Sequence, residues 1–269
     1  MSRNEERAFH DLLSYIEEEM AFESGFYNDA YLDRRITARM RRTDHDDYTA
    51  YRRLLERDEG EREALLDSLS INVTGFFRNP EAWEQLRLVL RELTEGHETV
   101  RIWSAPCADG REPYSVAMLA MEDPEVDDRH VEITATDINA DILDVARTGA
   151  YEISRTSDIA AELEPLEDPS QYVDEEADRF VVRDAVKEKV SVEQHDLIRG
   201  DPKRNFDLVL CRNLLIYIDA SYKTPIFRTI RGSLRAGGYL MIGMTETLPT
   251  ECRDEFEPVY KQHRIYRRT

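Results

Sequence analysis

The sequence predicts an α/β protein in which an all-helical N-terminal domain precedes an open, mostly parallel sheet. Three observations support this prediction. Apolar residues recur at helical spacing over roughly the first 70 residues, strand-like and helix-like segments alternate after Pro80, and polar residues directly follow several predicted strands. In open α/β sheets, ligands bind at the carboxyl ends of the strands. The pattern therefore predicts an enzyme with a small cofactor at that edge.

The N-terminal segment has apolar residues at three- and four-residue steps, as amphipathic helices do. Two of these series lie within residues 31–40 and 48–55, and the first comprises Phe9, Leu12, Leu13, Ile16 and Met20. No strand pattern occurs before Val73. We therefore place a helical domain at residues 1–75 and a sheet domain at residues 76–269.

The predicted sheet strands are apolar runs separated by helical segments. They are VRIWSA (100–105), VEITAT (131–136), VSVEQ (190–194), FDLVLC (206–211) and GGYLMIG (237–243). The final segment, FEPVYKQHRIYRR (256–268), predicts a hairpin that gives the parallel sheet an antiparallel edge. Residues 150–188 are too long for a simple connection and contain the strand-like run RFVV, so we predict a small inserted β-subdomain there.

Composition restricts the class of protein. A net charge of −20 on 269 residues opposes broad contact with nucleic acid or with an anionic membrane. Cys107, Cys211 and Cys252 are widely spaced, which suits a reducing cytoplasm and indicates no metal-ligand cluster. The chain shows neither an apolar run of membrane-spanning length nor the apolar core of a signal peptide. We therefore expect a cytoplasmic protein without membrane insertion, acting as a monomer.

The basic residues are unusual in kind. Of the 36 basic residues, 31 are arginine and the five lysines are Lys187, Lys189, Lys203, Lys223 and Lys261. An acid excess with arginine in place of lysine resembles adaptation to high salt, where screening weakens self-repulsion. The alternative is an ordinary acidic cytoplasmic protein.

The loop SAPCADGREPYS (104–115) joins the first sheet strand to a helix. It contains a single glycine, Gly110, so it is neither a dinucleotide-binding fingerprint nor a phosphate-binding loop. Such a loop could instead lie along a cofactor whose amino-acid tail is linked through sulfur. Glu112 either compensates the helix dipole or accepts a hydrogen bond from the ammonium group of that tail.

Polar residues follow three further strands. Asp137 either accepts hydrogen bonds from two ribose hydroxyls or caps the next helix, a role that Asn139 could fill. Asp196 could accept from an adenine amino group or form an ordinary turn. Arg212 and Asn213 follow a strand so apolar that function is the favoured interpretation. The missing glycine fingerprint favours S-adenosylmethionine over a nicotinamide cofactor.

Together, the segments NVTGFFRN, WSAPCADGREPYS, TDIN, CRNLLIYID and LRAGGYLMIGMTETL resemble the chemotaxis-receptor methyltransferases of the CheR family over nearly the whole chain. The resemblance implies a Rossmann-like sheet that binds S-adenosylmethionine and releases S-adenosylhomocysteine. It also implies that the substrate is a set of glutamate side chains on the cytoplasmic helices of chemoreceptors. Pro106, Ala108, Asp109 and Arg111 in the first loop, and Asp196 in place of an asparagine, depart from the usual pattern of the family.

The resemblance also implies which residues form the site. Arg78 and Tyr217 would face the substrate glutamate as catalytic residues. The implied cofactor-binding residues are Asn72, Thr74, Arg78, Glu112, Asp137, Asp196, Leu197, Arg212 and Asn213.

A cluster of basic residues on one predicted helix stands out in this acidic chain. Its members are Arg34, Arg35, Arg39, Arg41 and Arg42. One interpretation is a solvated face that balances nearby aspartates. The other is a docking surface for the acidic helices of a receptor, which is the one we expect.

The sequence leaves two other functional classes open. One is an S-adenosylmethionine-dependent methyltransferase with a different substrate. The other is a non-catalytic regulator that binds S-adenosylmethionine.

Overall fold

The computed structural model describes residues 2–20, 22–70, 74–96, 98–153 and 158–269. The chain forms two compact units. One comprises residues 1–71 together with 217–223, and the other comprises residues 72–216 and 224–269. The sequence pattern did not indicate that the short segment 217–223 belongs with the N-terminal helices, because this grouping depends on contacts between residues distant in the chain.

The described part of the first unit contains α1 (Arg3–Met20), α2 (Asp29–Arg42), α3 (Tyr48–Leu55) and α4 (Glu59–Leu69). Helix α1 packs against α3, and α2 packs against α4. The side chains of Asn28, Asp47 and Asp58 cap the last three helices by accepting hydrogen bonds from their first-turn amides. The buried core confirms the helical periodicity, and it includes Phe9, Leu12, Ile16, Leu32, Ile36, Tyr51, Leu55, Leu65 and Leu69.

The segment 217–223 is held by backbone contacts to residues 26–28. The amide of Asn28 donates to the carbonyl of Tyr217 at 2.9 Å, and the amide of Asp219 donates to the carbonyl of Phe26 at 2.9 Å. The rings of Phe26 and Tyr222 meet edge to face, with centroids 4.8 Å apart. The position of Tyr217 is therefore set by the N-terminal helical unit.

The second unit begins with α5 (Pro80–Gly96) and continues with alternating strands and helices. These are β1 (Val100–Ser104), α6 (Arg111–Glu122), β2 (Val131–Asp137), α7 (Ala140–Thr148), β6 (Val190–Gln194), β7 (Phe206–Cys211), α10 (Ala220–Ser233), β8 (Leu234–Ile242), β9 (Phe256–Tyr260) and β10 (Ile265–Arg268). The first residues of α10, up to Lys223, belong to the first unit. The sheet order is β6-β2-β1-β7-β8-β10-β9, with β9 and β10 antiparallel to their neighbours. The predicted parallel sheet with an antiparallel edge is confirmed.

Strand β1 lies between β2 and β7, and both pairings are parallel. The chain leaves β1 in one direction towards β2 and β6, then returns to build β7 and β8 on the other side. The strand order reverses between β1 and β7, and this is where open α/β sheets bind their ligands. Residues following β1 and β7 are therefore the first candidates for a site.

The predicted insertion forms a separate antiparallel sheet. It contains β3 (Ala150–Glu152), β4 (Val173–Glu175) and β5 (Arg179–Val182), in the order β3-β5-β4, with the short helices α8 (Ile159–Glu162) and α9 (Asp184–Lys187). The run RFVV is the central strand, as its apolar character predicts. Strands β3 and β4 are only three residues long, too short for an alternating pattern to reveal them.

Within the described residues, no helix combines the length and the apolarity that a membrane span requires.

Candidate active site

The loop between β1 and α6 folds closely against the neighbouring strand β2. The amide of Cys107 donates to the carbonyl of Thr136 at 2.8 Å, and the bond between Ala105 and Pro106 is cis. Gly110 has a φ of +91°, and a Cβ at this position would lie 2.9 Å from the Cβ of Ala146 in α7. Only glycine satisfies both the backbone conformation and this close approach.

Asp137 ties this loop to the end of β2. One carboxylate oxygen accepts from the amide of Ala108 at 2.9 Å, and the other accepts from the amide of Asn139 at 3.1 Å. Asn139, rather than Asp137, caps α7 by accepting from the amide of Asp141 at 3.0 Å. Burial raises the pKa of the Asp137 carboxyl above its ordinary value. Each carboxylate oxygen keeps a further lone pair for a ligand hydroxyl.

Glu112 and Arg212 form a buried ion pair across the switch point of the sheet. The Glu112 carboxylate accepts from Arg212 Nη1 at 3.2 Å and from the Ser104 hydroxyl at 2.8 Å. Burial raises the pKa of the Glu112 carboxyl, while the charge of Arg212 acts in the opposite direction. These groups follow or end the two strands between which the strand order reverses, so they occupy the position predicted for a ligand site.

Arg212 also joins β7 to the turn before α5. Its Nη2 donates to the carbonyl of Arg78 at 2.7 Å and to the amide oxygen of Asn79 at 3.3 Å. Its carbon Cζ lies 5.4 Å from the centroid of the Trp83 ring. The indole nitrogen of Trp83 donates to the same Arg78 carbonyl at 3.0 Å. The backbone at Arg78 is thus fixed by two donors from the core.

Glu246 is a buried carboxylate that the sequence interpretation missed. It accepts from the amides of Asn213 at 3.0 Å, Leu215 at 2.6 Å and Gly243 at 2.6 Å. A Cβ at Gly243 would lie 2.6 Å from a Glu246 carboxylate oxygen, so glycine is required there. Burial raises the pKa of Glu246, although these amides act to lower it. An acid just after the apolar strand β8 was the available signal, the same one that identified Asp137.

Two of the loop residues that depart from the family pattern, Asp109 and Arg111, belong to a network with the inserted subdomain. Arg111 pairs with Asp109 at 2.9 Å and with Glu162 of α8 at 3.1 Å. Glu162 in turn accepts from the amide of Phe76 at 2.8 Å, two residues before Arg78. The departures therefore connect the first loop, the insertion and the turn that carries Arg78.

Asp196 follows β6 and forms a turn with its own backbone. Its carboxylate accepts from the amides of Ile198 at 2.7 Å and Arg199 at 3.0 Å. The adjacent amide of His195 donates to the Asp137 carbonyl at 3.0 Å, which places this turn beside the end of β2, and Leu197 is buried. The geometry fits the turn interpretation, and contact of Asp196 or Leu197 with adenine stays a prediction.

The other residues predicted for the site are Asn72, Thr74, Tyr217 and the arginines of α2. Asn72 lies outside the described residues, and Thr74 is half-buried ahead of the turn at 76–79. Tyr217 packs on the helical unit, with its ring centroid 4.8 Å from that of Tyr31. The arginines of α2 also belong to that unit.

The arginines of α2 do not share one environment. Arg34, Arg41 and Arg42 are exposed, and Arg35 lies over the Tyr31 ring with its Cζ 5.4 Å from the centroid. Arg39 makes a two-pronged ion pair with the buried Glu61, which also accepts a hydrogen bond from the Tyr51 hydroxyl. Arg39 is thus a structural residue of the helical unit, and the solvated basic face consists of Arg34, Arg41 and Arg42.

The residues around the switch point fit S-adenosylmethionine. Glu112 offers a buried carboxylate for an ammonium group, and Asp137 offers one for ribose hydroxyls. The Nε of Arg212 is buried with no hydrogen-bond partner in the described part of the chain, although buried donors are nearly always paired. This donor suits an acceptor supplied by a ligand.

Comparisons with known proteins identify the family of this chain. Residues 72–265 match the family model "CheR methyltransferase, SAM binding domain", and residues 7–70 match "CheR methyltransferase, all-alpha domain". The chemotaxis protein methyltransferase of Listeria monocytogenes is 31% identical over 235 residues, covering 87% of each chain. Chemotaxis protein methyltransferase 1 of Pseudomonas aeruginosa is 35% identical over 198 residues, covering 70% of this chain and 71% of that protein.

Among solved structures, the glycopeptide N-methyltransferase MtfA complexed with sinefungin aligns with a TM-score of 0.38 and 14% identity, over 60% of this chain and 51% of that chain. This structural similarity is too low to assign a family, so the family assignment rests on the family models and the sequence relatives. The chain belongs to the CheR family of S-adenosylmethionine-dependent methyltransferases.

Proposed function

We propose that the protein methylates glutamate side chains on the cytoplasmic helices of chemotaxis receptors. The observation that carries the proposal is the Glu112–Arg212 pair at the switch point, with Asp137 at the neighbouring strand end. The family supports the methyltransferase activity and the chemoreceptor as substrate. The glutamate carboxylate as acceptor is our inference.

When bound, S-adenosylmethionine supplies an electrophilic methyl group, whose transfer to a carboxylate oxygen gives a methyl ester and S-adenosylhomocysteine. Glu112 binds the ammonium group of the cofactor, and Asp137 accepts hydrogen bonds from the ribose hydroxyls. Arg212 holds the charge of Glu112 and keeps the backbone of Arg78 in place. The tasks of the protein are then to position the reactants and to exclude water, which together can lower a barrier by several kcal/mol.

No general base is required for this reaction. A glutamate side chain has an ordinary pKa of about 4.3 and is already ionised near neutral pH. Since transfer removes the negative charge of the carboxylate, the protein must orient the glutamate without over-stabilising its charged form. We assign this orientation to Arg78 and a hydrogen bond to one carboxylate oxygen to Tyr217, on the strength of the family resemblance.

We further propose that the basic face of α2 docks the receptor. Arg34, Arg41 and Arg42 are exposed in a chain of net charge −20, which would otherwise repel an acidic helical bundle. We also propose that the protein acts as a monomer in the cytoplasm. The three cysteines are free and buried, which is compatible with a reducing compartment.

The deciding experiment incubates the protein with S-adenosylmethionine carrying a labelled methyl group and a purified cytoplasmic fragment of a methyl-accepting chemotaxis protein. A label that mild base releases as methanol is expected, because methyl esters hydrolyse in base. A base-stable label on the fragment, or on another substrate, would indicate a different methyltransferase. Cofactor binding without any transfer would indicate a regulator, and both results would overturn the proposal.

A further inference from the structure

A groove with a basic rim lies beside the antiparallel strands β9 and β10, away from the switch point between β1 and β7. Its volume is about 330 Å³, within the range of pockets that hold small ligands or single side chains. It is lined by Thr247, Leu248, Arg253, Phe256, Pro258, Lys261, Arg264 and Tyr266. Four of these residues provide an apolar floor and three are cations, while none is a carboxylate.

The three cations differ from two other arginines of the same unit, which carboxylates neutralise. Arg235 pairs with Asp207 at 2.7 Å, and Arg231 pairs with Glu255 at 3.3 Å. By contrast, the side chains of Arg253 and Lys261 make no hydrogen bond or ion pair with any residue that the structure describes. Arg264 donates from Nε to the carbonyl of Met244 at 3.1 Å, which leaves its two terminal nitrogens for another acceptor.

The end of the groove that holds Lys261 and Arg264 lies at the carboxyl ends of the parallel strands, as the candidate active site does. The amide of Ile242, the last residue of the parallel strand β8, donates to the carbonyl of Arg264 at 3.1 Å. Lys261 lies in the connection between β9 and β10 at that end of the groove. Met244, which Arg264 contacts, is two residues before Glu246, the carboxylate that orders the loop of Asn213.

We infer that this groove binds an acidic segment of the receptor next to the modified glutamate. Carboxylates of the segment would meet Arg253, Lys261 and Arg264, and one apolar side chain would lie on the floor formed by Leu248, Phe256 and Tyr266. Charge complementarity supports this occupant, because a cationic groove without internal carboxylates in a chain of net charge −20 is specific for anionic partners. The inference rests on the proposed function, since it assigns the segment to the receptor substrate.

The test reverses the two exposed cations together, as Arg253→Glu with Lys261→Glu. Exposed ion pairs are individually weak, so the double variant is needed to give a clear change. We expect KM for the receptor fragment to rise about tenfold, and the difference from wild type to shrink as salt is raised. Cofactor affinity, measured by calorimetry, should match that of wild type, because the groove is separate from the switch point.

A control matched in net charge reverses two exposed arginines elsewhere in the same unit, as Arg129→Glu with Arg147→Glu; both form surface ion pairs, with Asp127 and Asp144. If both double variants raise KM alike, the effect is one of overall charge and the inference fails. It also fails if the wild type methylates the fragment and the groove variant has the same KM. Sedimentation that shows a dimer, dissociated only by the groove variant, would identify a second copy as the occupant and overturn it. Absence of methylation by the wild type would instead overturn the proposed function.

Discussion

Glu112 is buried, its charge is balanced by Arg212, and it accepts a hydrogen bond from the Ser104 hydroxyl. An ammonium group binds the ionised carboxylate and not the neutral acid. Because burial raises the pKa of Glu112, protonation sets in at a higher pH than for an exposed glutamate, whose pKa is about 4.3. The ligand affinity contributed by Glu112 is therefore present at high pH and is lost as the pH falls through the raised pKa.

We therefore expect calorimetry to show S-adenosylmethionine binding more weakly at about pH 5 than at about pH 8. The variant Glu112→Gln should bind about 1.5–3 kcal/mol more weakly at the higher pH and lose this part of the pH dependence. The variant leaves the buried Arg212 without its ionised partner, so thermal denaturation is needed to check that the protein is still folded. A variant with the pH dependence of the wild type would show that Glu112 does not meet the ammonium group.

Tyr217 differs from Glu112 in that its ring packs in the helical unit while its hydroxyl is the group assigned to the substrate. In Tyr217→Phe the ring is kept and the hydroxyl is removed. We expect kcat to fall by about tenfold or more, while cofactor affinity is unchanged. Single-turnover measurement of methyl transfer checks this directly.

Tyr31 offers the matched control for that experiment, because its hydroxyl donates to the carbonyl of Leu69 at 2.9 Å. Tyr31→Phe should lower the free energy of unfolding by about 1 kcal/mol and leave kcat close to that of wild type. Equal turnover of Tyr217→Phe and wild type would return Tyr217 to the role of a core aromatic.

At the level of structural elements, the loop between β7 and α10 depends on a carboxylate from after β8. Glu246 accepts three backbone amides, two of them from this loop, and thereby positions Asn213 beside the buried Arg212. In Glu246→Gln, one acceptor oxygen becomes a donor that faces these amides. We expect a loss of about 1–3 kcal/mol of stability and, on the folded protein, a weaker affinity for S-adenosylmethionine.

The affinity measurement separates positioning from general destabilisation. Glu92, a residue of α5 away from the switch point, provides the control. Its carboxylate accepts a hydrogen bond from the Tyr239 hydroxyl at 2.7 Å and another from Arg267 at 2.7 Å. Glu92→Gln should lower stability without a change in cofactor affinity. If Glu246→Gln behaves in the same way, Glu246 supports the fold but does not position the site.

Helix α2 has a buried side and a solvated side that carry different arginines. Arg39→Glu would place two carboxylates together at Glu61, so we expect a loss of about 3–5 kcal/mol of stability, as for a broken buried ion pair. Reversal of Arg34, Arg41 and Arg42 to Glu should leave the thermal midpoint close to that of wild type and raise KM for the receptor about tenfold. An unchanged KM in a folded triple variant would mean that this face is only solvated charge.

For the whole molecule, the net charge of −20 predicts that stability depends on salt. The screening length shrinks from about 10 Å at 0.1 M to about 3 Å at 1 M, which weakens the repulsion among the acidic residues. We expect the thermal midpoint to rise steeply over this range, as a salt-adapted composition predicts. A flat midpoint in differential scanning calorimetry would show that the composition reflects an ordinary acidic protein.

The sequence by itself determined the fold class and the polar residues at the strand ends. Apolar periodicity is local, so it located the N-terminal helices, the parallel strands and the C-terminal hairpin within a few residues. An acid or arginine just past a buried strand is also a local signal, and it identified Asp137 and Arg212, while the acid at a predicted helix start identified Glu112. The five long motifs, taken in order, indicated the family and hence the cofactor S-adenosylmethionine.

Only the tertiary structure decided which of these residues meet. The ion pair between Glu112 and Arg212 exists because β1 and β7 are neighbours, although about 100 residues separate the two side chains. The same holds for Glu246 with Asn213, for Arg111 with Glu162, and for Arg39 with Glu61, which turned one of five predicted docking arginines into a structural residue. Such pairings depend on strand order and helix packing, which no local spacing encodes.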